Sequence, residues 1–363
     1  MAGMGGWDGR LAPRRDGVVK VLSATIFAAA ALLIPGGVQA AAQETSVNGL
    51  VPIGPPALSW GAPKAVDPST GGWFSLDCPG ARICFAVDGA GNRLMWTGEH
   101  WASAGPASSQ PRGAPRVTIS CANRQFCVTV DASGGASVYD GKAWGLAMEA
   151  DPVGLEDVSC PSSSFCAAVD IEGNAVTFNG RSWSAPVPLS REGSLDGVSC
   201  PSTHSCFALD DNGDVFSYDG AAWRGPTMLG PDAGTGAISC PTKRFCMVVE
   251  PGDDIVTYNG ARWGPVHHLT IVSLGGAGNS NPTGPLNGIS CASPTFCAWS
   301  DTEGNVYLYT GKNWGWIQAI DPRAEITTLS CPATDLCVAG DEDGNVIIGT
   351  PSRRPIIRYV VSR

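Results

Sequence analysis

Beyond its first forty residues the sequence has no stretch of sustained 3.6-residue apolar periodicity, which excludes a helical bundle or any helix-dominated domain. Charge is sparse as well. Asp, Glu, Lys and Arg make up 15% of the 363 residues, and the formal charge is −10. That balance lacks the basic stripe a nucleic-acid binder needs, so no nucleic-acid partner is expected. Histidine occurs only four times. There is no C-x-x-C, no G-x-S-x-G, no H-E-x-x-H and no phosphate-cradling loop. The familiar redox, hydrolase, zinc-protease and nucleotide chemistries therefore have no signature here. An enzyme assembled from dispersed carboxylates would leave no such pattern and is not excluded by it.

What is present begins with an export pattern. Arg10, Arg14, Arg15 and Lys20 precede a 14-residue apolar run, Val21 to Ile34, which Pro35, Gly36 and Gly37 end. Val38-Gln39-Ala40 offers small residues where a signal peptidase reads. The run is shorter than the ~20 residues a spanning helix needs. Cleavage after Ala40 is expected, with Ala42 as the other site and a retained anchor as the competing reading. Loss of residues 1–40 leaves 19 basic against 31 acidic residues, a charge of −12. Export would carry the cysteines into an oxidising compartment, where disulfides persist. The expected localisation is secreted or envelope-associated, with no transmembrane segment after cleavage.

The fourteen cysteines fall in seven C-x5-C pairs: Cys78/Cys84, Cys121/Cys127, Cys160/Cys166, Cys200/Cys206, Cys240/Cys246, Cys291/Cys297 and Cys331/Cys337. Successive pairs are 43, 39, 40, 40, 51 and 40 residues apart, the period of a repeat array. Four residues past each second cysteine stands an acid: Asp88, Asp131, Asp170, Asp210, Glu250, Asp301 and Asp341. Seven past it stands glycine in six repeats, and the fifth departs there with Asp253. An aromatic-Gly-x-x-Trp element follows in six repeats, ending at Trp101, Trp144, Trp183, Trp223, Trp263 and Trp314. In the third repeat the pattern predicts strands over 155–160, 165–170, 175–178 and 182–189, joined by Asx-Gly hairpin turns. Four short strands per ~40–45 residues describe a β-propeller blade. The expected fold is all-β, a seven-bladed propeller over residues 57–350, with an N-terminal linker at 41–56 and a basic tail at 351–363.

The seventh repeat stops at Gly349-Thr350-Pro351 without its aromatic-Gly-x-x-Trp. Leu58-Ser59-Trp60-Gly61-Ala62-Pro63 resembles the missing piece, matching Ser182-Trp183-Ser184-Ala185-Pro186. Residues 57–67 should therefore supply the outer strand of the last blade and close the ring. Each cysteine pair should staple one hairpin, the first cysteine ending the innermost strand and the second beginning the next. The chain-entropy formula gives roughly 2.4 kcal/mol for a seven-residue loop. Metal ligation by the cysteines is the weaker reading, because zinc sites favour closer spacing or accompanying histidines.

Two readings stand for the recurring tryptophans: packing between blades, or a stacking platform for sugars. Trp299 is expected to be buried in its strand. The acids carry the candidate binding site. The turns beginning at Asp88, Asp131, Asp170, Asp210, Glu250, Asp301 and Asp341 should ring one face, with Asp211, Asp214, Asp253, Asp254 and Asp343 beside them. Such a ring could draw a basic partner or hold a hard cation such as calcium. Alternatively each Asp only nucleates its turn. Asp210–Asp214 and Asp341–Asn345 look faintly like calcium loops, but neither reaches the bidentate glutamate of an EF-hand. No cofactor beyond a possible calcium ion is expected, and no metal ligand set is assigned. The symmetry-breaking stretch of ~11 extra residues before Cys291 contains Asn279 and Asn281, and His267 and His268 precede it. These four join the ligand-binding candidates, because function often rides on such loops.

The phrase Ser-Cys-Pro-Ser-x-x-Phe-Cys-x-Ala-Val-Asp-x-x-Gly-Asn-x-x-x-Tyr-Asp-Gly-x-x-Trp resembles repeats of secreted actinobacterial proteins, generally taken as disulfide-stapled β-propellers. The turns are also similar to the Asp-boxes of sialidases, and the aromatic-Gly-x-x-Trp end to tectonin and kelch repeats. The full Ser-x-Asp-x-Gly-x-x-Trp box is absent, so no sialidase active-site residues carry over. The resemblance implies the fold and export and no established activity. The expectation is a monomeric binding or scaffold propeller that takes a carbohydrate or an extracellular protein at the acidic loop face. The alternative is a glycan-active hydrolase or lyase built on channel-facing carboxylates.

Overall fold

A computed structural model describes residues 50–53, 58–66, 75–88, 91–105, 117–230, 236–250, 254–268, 286–311, 316–351 and 358–361. The export segment, Asp253, Trp314, Asn279 and Asn281 lie outside these residues. Every regular element among the described residues is a strand. The blade strands form seven antiparallel blades, six of them built from consecutive strands in chain order and the seventh completed from the N-terminal end. Blade three shows the plan: Leu155–Ser162 innermost, then Phe165–Asp170, Asn174–Phe178 and Val187–Pro188. The outermost strand is shorter than the pattern predicts. Trp183 makes a single bridge to Phe178, and Pro186, with no N–H, interrupts the ladder before Val187 pairs with Ala175. Blades one and four do run this strand from its tryptophan, over Trp101–Gly105 and Trp223–Met228.

All seven disulfides are local, as expected from the spacing: Cys78–Cys84, Cys121–Cys127, Cys160–Cys166, Cys200–Cys206, Cys240–Cys246, Cys291–Cys297 and Cys331–Cys337. Their placement within the hairpin differs from the expectation. The strands do not stop at the cysteines. Cys160 stands third from the end of Leu155–Ser162, and Cys166 second in Phe165–Asp170. Two further residues pair beyond the bridge, Ser162 opposite Phe165, after a register shift that the disulfide spans. The second cysteines, Cys84, Cys127, Cys166, Cys206, Cys246, Cys297 and Cys337, are all fully buried, and each belongs to an apolar cluster between blades. The bridges are therefore core residues as well as staples.

The residue before each first cysteine does something the repeat pattern did not disclose. Its side chain accepts a hydrogen bond from the cysteine amide of the following blade. Cys160 N donates to Ser120 Oγ, Cys200 N to Ser159 Oγ, Cys240 N to Ser199 Oγ, Cys291 N to Ser239 Oγ and Cys331 N to Ser290 Oγ, at 2.9–3.0 Å. The circle closes through Cys78 N to Ser330 Oγ at 3.0 Å and Cys121 N to Asp77 Oδ2 at 2.7 Å. Innermost strands of neighbouring blades do not pair as a sheet. A hydroxyl or carboxylate at this position takes one amide from the next blade without a ladder, which leaves that donor satisfied.

The ring is closed as expected. Leu58–Trp60 pairs antiparallel with the third strand of blade seven, Asn345–Pro351, in the register Leu58↔Pro351 and Trp60↔Gly349. Lys64–Ala65 continues along the same edge, opposite Val346 and Asn345. Leu58 is fully buried against Phe296, Ile326 and Ile347, so the N-terminal piece is part of the blade six and seven core. Trp60 behaves as the internal tryptophans do: its Nε1 is buried without a partner, as are those of Trp144, Trp183 and Trp223. A separate two-stranded sheet joins Leu50–Ile53 to Arg358–Val361, so part of the expected linker pairs with part of the expected tail.

Between blades lie separate apolar clusters rather than one core. Ala168 and Val176 of blade three pack on Val128, Val130 and Ala136 of blade two, and the same layering recurs around the ring. The recurring tryptophans belong to these layers. Trp144, Trp183, Trp223 and Trp263 sit 5.3–5.4 Å from the aromatic ring of their own third strand. Packing, rather than a sugar platform, is the role the structure shows for them. Trp299 is fully buried and stacks on Tyr307 at 5.4 Å.

Candidate functional site

The seven repeat acids are all buried, none more than 3% exposed. In six of them at least one oxygen accepts hydrogen bonds from the turn the acid begins. Asp170 Oδ1 accepts from the amides of Glu172 and Asn174, and Oδ2 from Asn174 Nδ2. Asp88, Asp301 and Asp341 repeat the arrangement with Asn92, Asn305 and Asn345. Asp131 takes the amides of Ser133 and Gly135 together with the Ser133 hydroxyl. Asp210 takes those of Asn212 and Asp214, and its Oδ2 accepts from Ser190 in the preceding blade-to-blade connection. Of the two readings of these acids, turn nucleation is the one whose bonds are visible. Asp214 is half-buried and serves its turn through its amide, whereas Asp343 is exposed.

Carboxylates do converge elsewhere, on the axis of the ring. The seven innermost strands enclose a channel of about 890 Å3, within the range of ligand cavities. Asp77, Glu156, Asp157, Asp196 and Glu325 line it, with rows of Ser and Thr hydroxyls, and among the described residues no Lys, Arg or His does. Asp77 and Asp157 also hold the ring together: Asp77 Oδ2 accepts the Cys121 amide, and Val198 N donates to Asp157 Oδ2 at 2.8 Å. Glu325 Oε1 accepts from Asn287 Nδ2 at 2.6 Å. Asp196 is the exception, for its Oδ2 is buried without a partner. Burial, opposed by the Ser194 hydroxyl and reinforced by Asp211 and Glu156, pushes the Asp196 carboxyl up to about 6. Burial also raises that of Asp77.

The channel and the turn face are linked. Ser194 Oγ lies within hydrogen-bond distance of Asp196 Oδ1 in the channel wall and of Asp211 Oδ2 in the turn, at 3.2 and 3.3 Å. Glu325 N donates to Glu342 Oε1 of the blade-seven turn. Asp211 and Glu342 therefore adjoin the channel acids Asp196 and Glu325. Sequence reasoning passed over the channel acids because they do not recur. Glu156 and Asp196 occupy the position four before the first cysteine, where other repeats carry Val117, Gly236, Asn287 or Thr327.

Blade five departs from the rest. Glu250 replaces the turn Asp, is 3% exposed, and its Oε1 has no partner. Burial first, then the neighbouring Asp254, pushes its carboxyl up to about 7. Asp254 Oδ1 lies 2.5 Å from His268 Nδ1 on the exposed outer strand His267–His268. His267 is exposed too, and among the described residues no group of acids, histidines and cysteines is placed to hold a metal ion. A raised acid binds its proton more tightly in the folded state, so stability falls as pH rises from its ordinary value of 4.5 to about 7. Urea unfolding across that window should show Glu250→Gln losing less stability than the parent chain. Parallel curves would show that Glu250 does not carry this proton.

No protein-family model and no curated protein matches the chain. Solved structures do. YCF48 bound to D1 peptide aligns with a TM-score of 0.62 at 10% identity, over 82% of this chain and 100% of that one. The fold is the seven-bladed β-propeller. The WD40 repeats of RRP9 align with a TM-score of 0.65 at 10% identity, covering 81% of this chain and 100% of theirs. U3-55K follows at 0.61 and 10%, covering 80% and 98%. At such identity the likeness carries the architecture alone.

Proposed function

We propose that the chain is a binding propeller acting outside the cell, and that it takes a cationic segment of an extracellular protein at the acidic end of its channel. The observation that carries this reading is the channel lining: among the described residues it holds five carboxylates and no basic side chain, with further acids on the adjoining turns. A cavity walled by one sign of charge focuses the field and draws the opposite charge. Seven disulfides fit an oxidising compartment. The expected export pattern of residues 1–40 agrees with the same location. YCF48 has a peptide bound in its structure, which lends the peptide reading a precedent on this architecture.

The test is titration of the full chain with Lys- and Arg-rich peptides and with acidic peptides of matched length. Basic peptides should bind, more weakly at high salt. The pair Asp196→Asn with Glu156→Gln should weaken them about tenfold or more, the equivalent of ~1.4 kcal/mol. Equal affinity for both peptide classes, or no effect of the pair, defeats the proposal. A second reading rests on Asp196 alone. A carboxyl raised to about 6, mainly by burial and in part by Glu156, suits the general acid of a glycan-cleaving site. Polysaccharide turnover lost in Asp196→Asn would favour it, and a glycan-array signal without turnover would point to carbohydrate binding.

A further inference from the structure

Four of the innermost strands carry one residue more than the strand they pair with. The register shifts between Leu155 and Asp157, Leu195 and Gly197, Leu286 and Gly288, and Ile326 and Thr328. The extra residues are Glu156, Asp196, Asn287 and Thr327, and all four line the channel. A bulge leaves its extra residue out of the ladder and re-aims the side chain, which is why bulges gather at functional sites. In blade four the bulge residue meets a second acid through a hydroxyl. Ser194 Oγ lies 3.2 Å from Asp196 Oδ1 and 3.3 Å from Asp211 Oδ2. The Asp211 amide donates to the Ser194 carbonyl at 3.1 Å and ties the two residues together. A hydroxyl has one proton to donate. With both acids ionised, one of the two oxygen–oxygen contacts has no hydrogen in it. Asp211 Oδ1 accepts from Asn212 Nδ2 at 3.1 Å, whereas Asp196 Oδ2 is buried without a donor. The missing proton therefore belongs on Asp196.

We infer that Asp196 is a proton-binding site of the unliganded channel, and that a cation entering the channel expels this proton. The proton on Oδ1 is donated to Ser194 Oγ, and the hydroxyl's own proton is donated to Asp211 Oδ2. When the ligand's positive charge takes its place, the proton leaves to solvent and Asp196 becomes a carboxylate. The expulsion rests on the channel reading proposed above, and the proton itself does not. The charges packed around Asp196 are acids. Glu156 and Asp157 lie on the neighbouring strand Leu155–Ser162, and Asp210 and Asp211 on the paired strand and its turn. Asp170 ends Phe165–Asp170, and Ala237–Thr242 on the other side brings no charged residue. Arg191 and Glu192, in the connection before Ser194, are exposed. Burial, opposed by the Ser194 hydroxyl and reinforced by Asp211, Glu156 and Asp210, holds the carboxyl at about 6. As pH falls through that value Asp196 becomes neutral, the channel loses one negative charge, and a cationic ligand binds more weakly.

The experiment has two arms on the full, oxidised chain. In the first, carboxyl 13C NMR of Asp-labelled protein follows the Asp196 signal, assigned by its loss in Asp196→Asn, and it should titrate near 6 without any ligand. In the second, a hexalysine peptide is titrated by calorimetry in buffers of different ionisation enthalpy. The peptide should bind about tenfold more weakly near pH 5 than near pH 7.5, and should release about half a proton near pH 6. Asp196→Asn should bind weakly at every pH and release none. Asp211→Asn supplies a second N–H to the trio, so Asp196 no longer needs its proton and should titrate down toward the ordinary carboxyl range, carrying the pH dependence of binding with it. Asp196 titrating with ordinary carboxyls in the parent chain overturns the inference. So does binding of equal affinity across this range with no proton released, a result that would leave the channel reading intact. A chain that binds no hexalysine at any pH defeats the channel reading and the expulsion with it, and an Asp196 that still titrates near 6 would then support the proton site by itself.

Discussion

Asp301→Ala should destabilise the oxidised protein by about 3–5 kcal/mol in urea unfolding, because several buried donors lose their acceptor at once. The carboxylate is 1% exposed and accepts four hydrogen bonds. Two come from the amides of Glu303 and Asn305, one from Asn305 Nδ2 and one from the Tyr307 hydroxyl at 2.8 Å. Tyr307 is fully buried, so its hydroxyl would be left without this acceptor. Each such loss costs ~1–3 kcal/mol, more when the acceptor is charged. Asp343→Ala, at an exposed position of the blade-seven turn, should stay within about 0.5 kcal/mol of the parent chain. A loss below ~1 kcal/mol at Asp301 would show that the turn holds without its acid, and would return the repeat acids to the list of binding candidates.

The second large effect concerns closure. A chain lacking residues 1–66 should lose about 5 kcal/mol or more and should self-associate. It gives up Leu58, wholly buried in the blade six and seven cluster, and Trp60, which packs on that cluster. Leucine truncation in a core costs ~2–5 kcal/mol and tryptophan ~3–5. It also bares the Asn345–Pro351 edge, whose unpaired amides and carbonyls invite a second chain. The informative companion places residues 58–66 after Pro351 through a short turn. Leu58 lies opposite Pro351 in antiparallel register, so a hairpin can join them. Light scattering and urea unfolding should find this chain monomeric and nearly as stable as the parent. A truncated chain that stays monomeric and stable would mean that blade seven stands on three strands.

Much of the architecture was legible because its determinants are local and repeated. A C-x5-C pair is spaced to close the hairpin that contains it, and seven such pairs count seven blades. The Leu58-Ser59-Trp60 fragment could be matched to a missing strand because six complete copies stand in the same chain. The same repetition misdirected attention at the site. Recurrence drew notice to the turn acids, and the structure buries all seven, six of them accepting hydrogen bonds from their own turns. A residue that every blade needs is a residue of the blade. Glu156, Asp196 and Glu325 sit at positions where the repeats disagree, and disagreement among copies was the signal that could have found them.

The serine before the first cysteine, present in six of the seven repeats, shows the boundary between the two kinds of knowledge. Its recurrence is plain in the sequence, yet its partner is an amide about forty residues along the chain, and only ring closure brings Ser330 to Cys78 across 252 positions. Strand number, hairpin staples and the closing segment follow from the sequence by itself, because turn chemistry, side-chain alternation and short disulfide loops act over a few residues. The tertiary structure alone decided which carboxylates face solvent, channel or core. Those outcomes depend on how neighbouring blades are packed, where charge and burial are settled between residues that no local pattern connects.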